Sequence, residues 1–219
     1  MPRPTSPATK VSGRVLAVLA FVAVVAYALD QISKALVVDR LVEGQTVDVL
    51  GRVLQFHFVK NPGAAFSLAS GSTWIFSIAA TVVVVAIVVF ARRIRSVAWA
   101  VLFGMLLGGT LGNLTDRLLR EPSFGQGHVI DFLYLPWILP AIFNVADVFI
   151  VSSMGLLILL TLLGVGLDGT RSTTPSDAAD EGDASAHRAT DHSADAPAHA
   201  ADAPASGDDA ARPVQDGRS

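Results

Sequence analysis

The chain has 219 residues, 52% of them hydrophobic and only 16% charged, with a mean hydropathy of +0.52, which excludes an ordinary water-soluble domain and indicates an integral membrane protein. The net charge of −3 hides two unlike regions: residues 1–170 hold 12 Lys and Arg against 9 Asp and Glu, whereas residues 171–219 hold 4 against 10. With no cysteine in the sequence, disulfide frameworks, thiol nucleophiles and cysteine-based metal sites are excluded.

A bilayer core about 30 Å thick needs roughly 20 mostly apolar residues per helical span. Four segments meet that requirement, at about 15–38, 73–90, 97–114 and 142–163. In the first, Arg3, Lys10 and Arg14 precede a run of about 15 apolar residues and Ala26-Tyr27-Ala28 mimics a cleavage site, so the segment also resembles a signal peptide. Asp30 and Lys34 within it are spaced i, i+4 in the better orientation for a helical ion pair. Mutual neutralisation in hydrocarbon is the preferred reading of that pair.

The connector of about 39–72 contains "VLQFHFVKN", whose alternation and β-favouring residues predict a strand lying at the membrane surface. In "NPGAAFSL", Asn61 is placed to cap a short helix with Pro62 in its first position. The second span ends at "ARRIRS", where Arg92, Arg93 and Arg95 form the densest basic cluster in the chain. Such a connector belongs on the cytoplasmic side, so four spans put both termini inside and the connectors 39–72 and 115–141 outside.

In the third span, "FGMLLGGTLGNLTDRL", Gly104, Gly108 and Gly112 recur every four residues and let a neighbouring backbone approach one face. Asn113 and Arg117 follow at i, i+4 on one side of its outer end. Taken alone, that placement favours an interfacial Arg117 snorkelling to lipid headgroups. Asp131 is a single carboxylate amid the apolar "HVIDFLYLPWILP" as the chain returns to the membrane. The fourth span begins "AIFNVADVFIV", with Asn144 and Asp147 one turn apart inside it and Asp147 about 8 Å into the helix. His57 and His128 lie in separate connectors without helical ligand spacing, and no metal site is assigned to them. Residues 168–219 are rich in Ala, Asp, Ser, Pro and Gly, a composition that predicts a disordered tail.

Asp131 and Asp147 both fall near the outer boundary. Two carboxylates in a poorly solvated site do not ionise together easily; sharing one proton, they can activate a water and protonate a leaving amine. That is aspartic-protease chemistry, although spacing alone also allows a buried Asp to pair with Arg117 as structure.

Taken together, "DQISK" (30–34), "NPGAAFS" (61–67), "GGTLGNLTDR" (108–117), "VIDF" (129–132) and "FNVAD" (143–147) resemble the bacterial lipoprotein signal peptidase family, signal peptidase II, over about residues 12–165. The resemblance implies a membrane aspartyl endopeptidase that cleaves prolipoproteins before a cysteine bearing diacylglycerol, with Asp131 and Asp147 as the catalytic pair. By the same resemblance Asn61, Asn113, Arg117 and Asn144 line the substrate site, Asp30 and Lys34 support it, and the first span is retained rather than cleaved. The implied fold is an all-α membrane protein, a four-helix bundle with a small β-rich cradle on its outer face, needing no cofactor or metal. The expected organisation is a cytoplasmic segment at 1–13, a peptidase domain at 14–167 and the acidic tail. The expected partners are diacylglyceryl-modified prolipoproteins and membrane lipids, with no nucleic acid, and the expected state is a monomer. The connector between Arg117 and Asp131, with "EPSFGQGH", is longer than the resemblance requires. The alternative is a small transporter or channel relaying protons or cations through membrane Asp and Lys residues. The chain shows neither internal repeats nor broken helices in its favour. A glycine-packed scaffold would leave Asp131 and Asp147 unexplained.

Overall fold

The computed structural model describes residues 13–63 and 73–171. The segment ahead of residue 13, the continuation past Gly63 of the short helix expected to begin at Pro62, and the rest of the expected tail from residue 172 onward lie outside the described residues; Pro62 and Gly63 themselves are not helical, Gly63 standing at φ 96°.

Among the described residues, four helices are long and apolar enough to cross a membrane: α1 (Gly13–Arg40), α2 (Thr73–Phe90), α3 (Val97–Leu119) and α4 (Val145–Leu162). Four strands, β1 (Thr46–Leu50), β2 (Leu54–Asn61), β3 (Val129–Tyr134) and β4 (Ile142–Phe143), form one antiparallel sheet in that order. The described residues are thus mostly helical with a small sheet. The expected strand is β2; β1, β3 and β4 are additions to the sequence reading.

Helix α1 buries Val15, Leu19, Ala23, Ala26, Asp30, Lys34 and Val37. These positions step by three or four residues, the spacing that keeps side chains on one face. That face meets the glycine row of α3. A Cβ on Gly104 would come within 2.8 Å of the Leu19 carbonyl oxygen, and one on Gly108 within 2.7 Å of the Ala26 Cβ. Gly109, one position round the helix, faces α4 instead, where a Cβ would stand 2.7 Å from the Ala146 carbonyl oxygen. The close approach expected of Gly104, Gly108 and Gly112 is therefore made to α1, and α3 touches both neighbours through small residues.

Two expected boundaries shift by three residues or more. The third span continues through Leu119, because Asp116 and Arg117 at its end have protein partners rather than water alone. The fourth starts three residues later than the expected 142, because Ile142 and Phe143 pair with Tyr134 and Leu133 as β4. The connector beyond Leu119 folds back over the end of α3: Gly127 N–H donates to the Arg117 carbonyl at 2.9 Å, and Gly125 offers its carbonyl to Ser77 of α2 at 2.6 Å. At the opposite end, the Leu167 carbonyl accepts from Arg95 and Ser96 N–H at 3.0 and 3.1 Å, tying the segment after α4 to the start of α3.

Candidate active site

The site forms where the C-terminal halves of α1 and α3, the N-terminus of α4 and strands β2 and β3 meet. This is the end of the helices remote from Arg92, Arg93 and Arg95. Its first layer is a set of fully buried charges. Lys34 Nζ lies 2.8 Å from Asp30 Oδ2 and 2.8 Å from Asp116 Oδ2, with none of the three side chains exposed. One ammonium between two carboxylates leaves the cluster with excess negative charge, and further donors offset it. Asp30 Oδ1 accepts from Ala146 N–H at 2.9 Å, Asp30 Oδ2 from Gln31 Nε2 at 3.0 Å, and Asp116 Oδ1 from Arg120 Nε at 2.6 Å. The expected Asp30–Lys34 pair is present, and it does more than neutralise itself: Asp30 fastens the start of α4 to α1.

The same Lys34 donates to Asn113 Oδ1 at 2.9 Å, and an ammonium can only donate. Asn113 Oδ1 is thereby held toward Lys34, and its Nδ2 is turned to donate to Asp147 Oδ1 at 2.8 Å. Asn144 is oriented by the backbone in the same manner. As the N-cap of α4 it accepts from Asp147 N–H through Oδ1 at 3.0 Å, while Asp147 Oδ2 accepts from Asn144 N–H at 3.1 Å, a reciprocal capping box. Its Nδ2 is left to donate to Asp131 Oδ1 at 2.7 Å and to Asn113 Oδ1 at 3.1 Å. Asn61 Nδ2, at the end of β2, donates to the other oxygen, Asp131 Oδ2, at 2.7 Å. Two carboxylates from different elements are thus joined through two amides whose orientations are set by Lys34 and by the helix cap.

Asp147 sits at the third position of α4 rather than about five residues into a span, because Asn144 is the cap and not a helical residue. It stands in the first turn, where a carboxylate interacts favourably with the helix dipole. Asp131 lies on β3 between Ile130 and Phe132, which pack with Val37 and Phe58 as a small apolar core. Period-two alternation sends Asp131 to the other face of the strand. Burial pushes the Asp131 carboxyl up to about 6; the Asp147 charge adds to the rise, and the hydrogen bonds from Asn61 and Asn144 and the charge of Lys34 oppose it. The neutral acid is accordingly within reach near neutral pH.

Arg117 joins the site by field rather than by a hydrogen bond to either carboxylate. Its guanidinium lies 5.1 Å from the centroid of Phe76 and interacts electrostatically with Asp131, Asp116 and Asp147. Its Nη1 is buried and finds no acceptor among the described residues, which places a free donor beside the carboxylates. Snorkelling alone does not describe this residue.

Asp116 is the member that sequence reasoning missed. Besides Lys34 and Arg120 it accepts from Ile130 N–H at 3.3 Å, bracing β3 one residue before Asp131. The available signal was its i, i+4 spacing to Arg120, which reads equally well as a surface pair. His57 contacts Thr46 on β1, and His128 precedes β3 near the other end of the β2 ladder. A cleft of about 260 Å³ lined by Lys60, Arg120, Glu121, His128 and Ile130 opens on the Ile130 side, away from Asp131.

Comparison with known proteins identifies the family to which the chain is similar. Residues 22–163 match the sequence family described as signal peptidase (SPase) II. A protein of Leifsonia xyli subsp. xyli named lipoprotein signal peptidase is 66% identical over 163 residues, covering 74% of this chain and 75% of its own length. One of the same name from Streptomyces griseus is 47% identical over 160 residues, covering 72% and 79%. A solved bacterial membrane enzyme superposes with a TM-score of 0.57 at 26% identity, over 69% of this chain and 94% of the other.

Proposed function

Because the chain belongs to the signal peptidase II family, we propose that it is an aspartyl endopeptidase that removes signal peptides from prolipoproteins, with Asp131 and Asp147 as its catalytic pair. The observation that carries this reading is the amide-bridged pair itself, two carboxylates from separate elements held at one end of the spans with one acid raised to about 6.

In this mechanism Asp147 enters ionised and Asp131 protonated. Asp147 takes a proton from the attacking water as its oxygen bonds to the scissile carbonyl carbon, and Asp131 gives its proton to the carbonyl oxygen. The tetrahedral intermediate collapses as the C–N bond breaks. Asp147 passes its proton to the leaving amine, and a hydroxyl proton of the intermediate returns to Asp131, regenerating the starting pair. Asn61 and Asn144 hold Asp131, and Asn113 and Asn144 hold Asp147, so little reorganisation accompanies the charge movement. The Arg117 Nη1 donor supplies a fixed contact for a substrate carbonyl, and Asn61, Asn113 and Asn144 line the same recess. Asp30, Lys34 and Asp116 support them.

The substrate class follows from depth. A precursor whose cysteine carries diacylglycerol stays anchored in the bilayer, so its scissile bond is presented at the level of the first turn of α4. The arginine-rich connector at the opposite end supports a cytoplasmic location for both termini and an outward-facing site in the bacterial cell membrane. The helices then form a bundle with the sheet as a cradle on the outer face, working as a monomer with the acidic tail inside. The transporter alternative finds no support in relatives that are peptidases by name.

Purified protein incubated with a diacylated prolipoprotein, followed on a gel, tests this directly. The expected result is a shortened product beginning at the lipidated cysteine. Full-length precursor at all times, with folded enzyme present, overturns it.

A further inference from the structure

At the far end of the sheet from Asn61 two turns come together. The β1–β2 connection reverses over Leu50, Gly51, Arg52 and Val53, with Val53 N–H donating to the Leu50 carbonyl at 3.2 Å and Gly51 in the left-handed region at φ 54°. The β3–β4 connection reverses over Leu135, Pro136, Trp137 and Ile138, with Ile138 N–H donating to the Leu135 carbonyl at 3.0 Å. Proline suits the second position of such a turn. The ladder pairs Gln55 with Tyr134 and Tyr134 with Ile142, bringing both turns to one edge, and Arg52 lies 5.8 Å from the centroid of the Trp137 ring.

These turns are the reverse of what an aqueous loop offers. Leu50 is 66% exposed, Val53 58%, Trp137 72% and Ile138 68%, whereas loop tips facing water favour small and polar residues. An apolar cluster with one Trp and one Arg is the composition found at the membrane–water interface, where an amphipathic ring and a long basic side chain meet the headgroups. The chain also keeps the tip close to the bilayer. From Leu139 to Val145, the first residue of α4, there are six residues, a reach of at most about 20 Å even fully extended. Pairing of β4 with β3 shortens it further.

We infer that the paired turns 50–53 and 135–139 are a membrane-surface anchor, with Leu50, Val53, Trp137 and Ile138 immersed at the headgroup–acyl boundary of the leaflet on the sheet side and Arg52 reaching lipid phosphate. The occupant of this surface is lipid. Because β2 and β3 run from this tip to Asn61 and Asp131, the anchor fixes the height of those residues over the bilayer. Resting on the peptidase reading, this makes the tip a positioning device for substrates presented from the membrane.

The absence of native cysteine allows depth to be read without reference to activity. Full-length protein carrying a single spin-labelled cysteine at position 50, 53 or 138 is reconstituted in phosphatidylglycerol/phosphatidylethanolamine vesicles, with position 121 as the aqueous control because Glu121 is a charged, highly exposed side chain beyond the end of α3. Labels at the three tip positions are expected to collide severalfold more with oxygen, and severalfold less with a water-soluble nickel chelate, than the label at 121. Equal collision profiles at all four positions overturn the anchor, whatever the enzyme cleaves. As a functional arm, Leu50→Asp with Ile138→Asp should raise KM for a bilayer-embedded diacylated precursor severalfold while leaving kcat and the cleavage of precursor in detergent unchanged. An unchanged KM in bilayers limits the tip to no part in substrate positioning and overturns that half of the inference. Loss of cleavage by the unmutated protein with the depth profile intact would instead fall on the peptidase reading alone.

Discussion

Helices α2 and α3 cross the same bilayer under opposite rules. The most apolar of the four spans is the one containing α2, yet only 11% of its apolar window is buried, whereas the least apolar, α3, has 44% of its window buried. In water the order would be reversed. In hydrocarbon an apolar side chain gains nothing by leaving lipid, so association is driven by close packing and by satisfying polar groups. Helix α2 buries only Thr73, Ser77 and Ile87, two of them polar and tied to the connectors by hydrogen bonds. Helix α3 carries the glycine row, Asn113, Asp116 and Arg117, and α1, α2, α4 and β3 all pack against it.

The largest effect expected from this contrast lies at the polar end of α3 and its partners. Asp131→Asn and Asp147→Asn should each reduce cleavage of a lipidated precursor by at least about 10³-fold, and the double variant should be scarcely worse, because residues acting as one unit are non-additive. A gel assay with protein level confirmed reads this; substantial turnover by either single variant would falsify the pairing.

Next in size is the charge cluster that α3 shares with α1. Lys34→Met leaves Asp30 and Asp116 buried without their common partner, a loss of about 3–5 kcal/mol for a broken buried pair, seen as a lower unfolding midpoint in detergent. An unchanged midpoint would mean that the cluster contributes little to holding the helices together.

A pH series sharpens the same contrast. The Asp131 carboxyl, raised by burial to about 6, stands above the ~3.9 of an unfolded chain, so folding stabilises its neutral form. That contribution is fully present below about pH 4 and is lost as pH rises through about 6, with a span on the order of 3 kcal/mol. Unfolding midpoints from pH 4 to 7 should fall in the parent and fall less in Asp131→Asn. Within the proposed mechanism kcat/KM should also decline above about pH 6 in proportion to proton concentration, as the acid of the coupled pair is lost. A flat profile through that range would assign the proton elsewhere.

The smallest effects separate the two helices directly. Gly108→Val drives a side chain into Ala23 and Ala26 of α1 and should cost about 1–3 kcal/mol. Val85→Leu on the lipid-facing surface of α2 should stay within about 0.5 kcal/mol. Comparable losses from both, measured by thermal unfolding in the same detergent, would erase the distinction between the helices.

Much of the fold was legible because its causes are local. Long apolar runs located all four spans, with α2 matching residue for residue at 73–90. The i, i+4 spacings anticipated the Asp30–Lys34 pair and the glycine face. The candidate site was legible as a set of residues, through the five ordered motifs, but not as a network. Asp116 shows why: its contacts with Lys34 and Ile130 cross from one element to another, and no spacing in its own helix announces them.

The sequence by itself determined the membrane class, the number of spans and which polar residues stand out against hydrocarbon, since hydropathy and helical periodicity are properties of consecutive residues. Only the tertiary structure decided that Ile142 and Phe143 pair as a strand and leave Asn144 as a cap. It alone decided that Lys34 sets the Asn113 amide 79 residues away, and that Arg52 and Trp137 close one tip. A hydrogen bond between distant segments depends on strand register and on two helices approaching to glycine distance. Those geometries arise from the packing of whole elements rather than from the order of residues within any one of them.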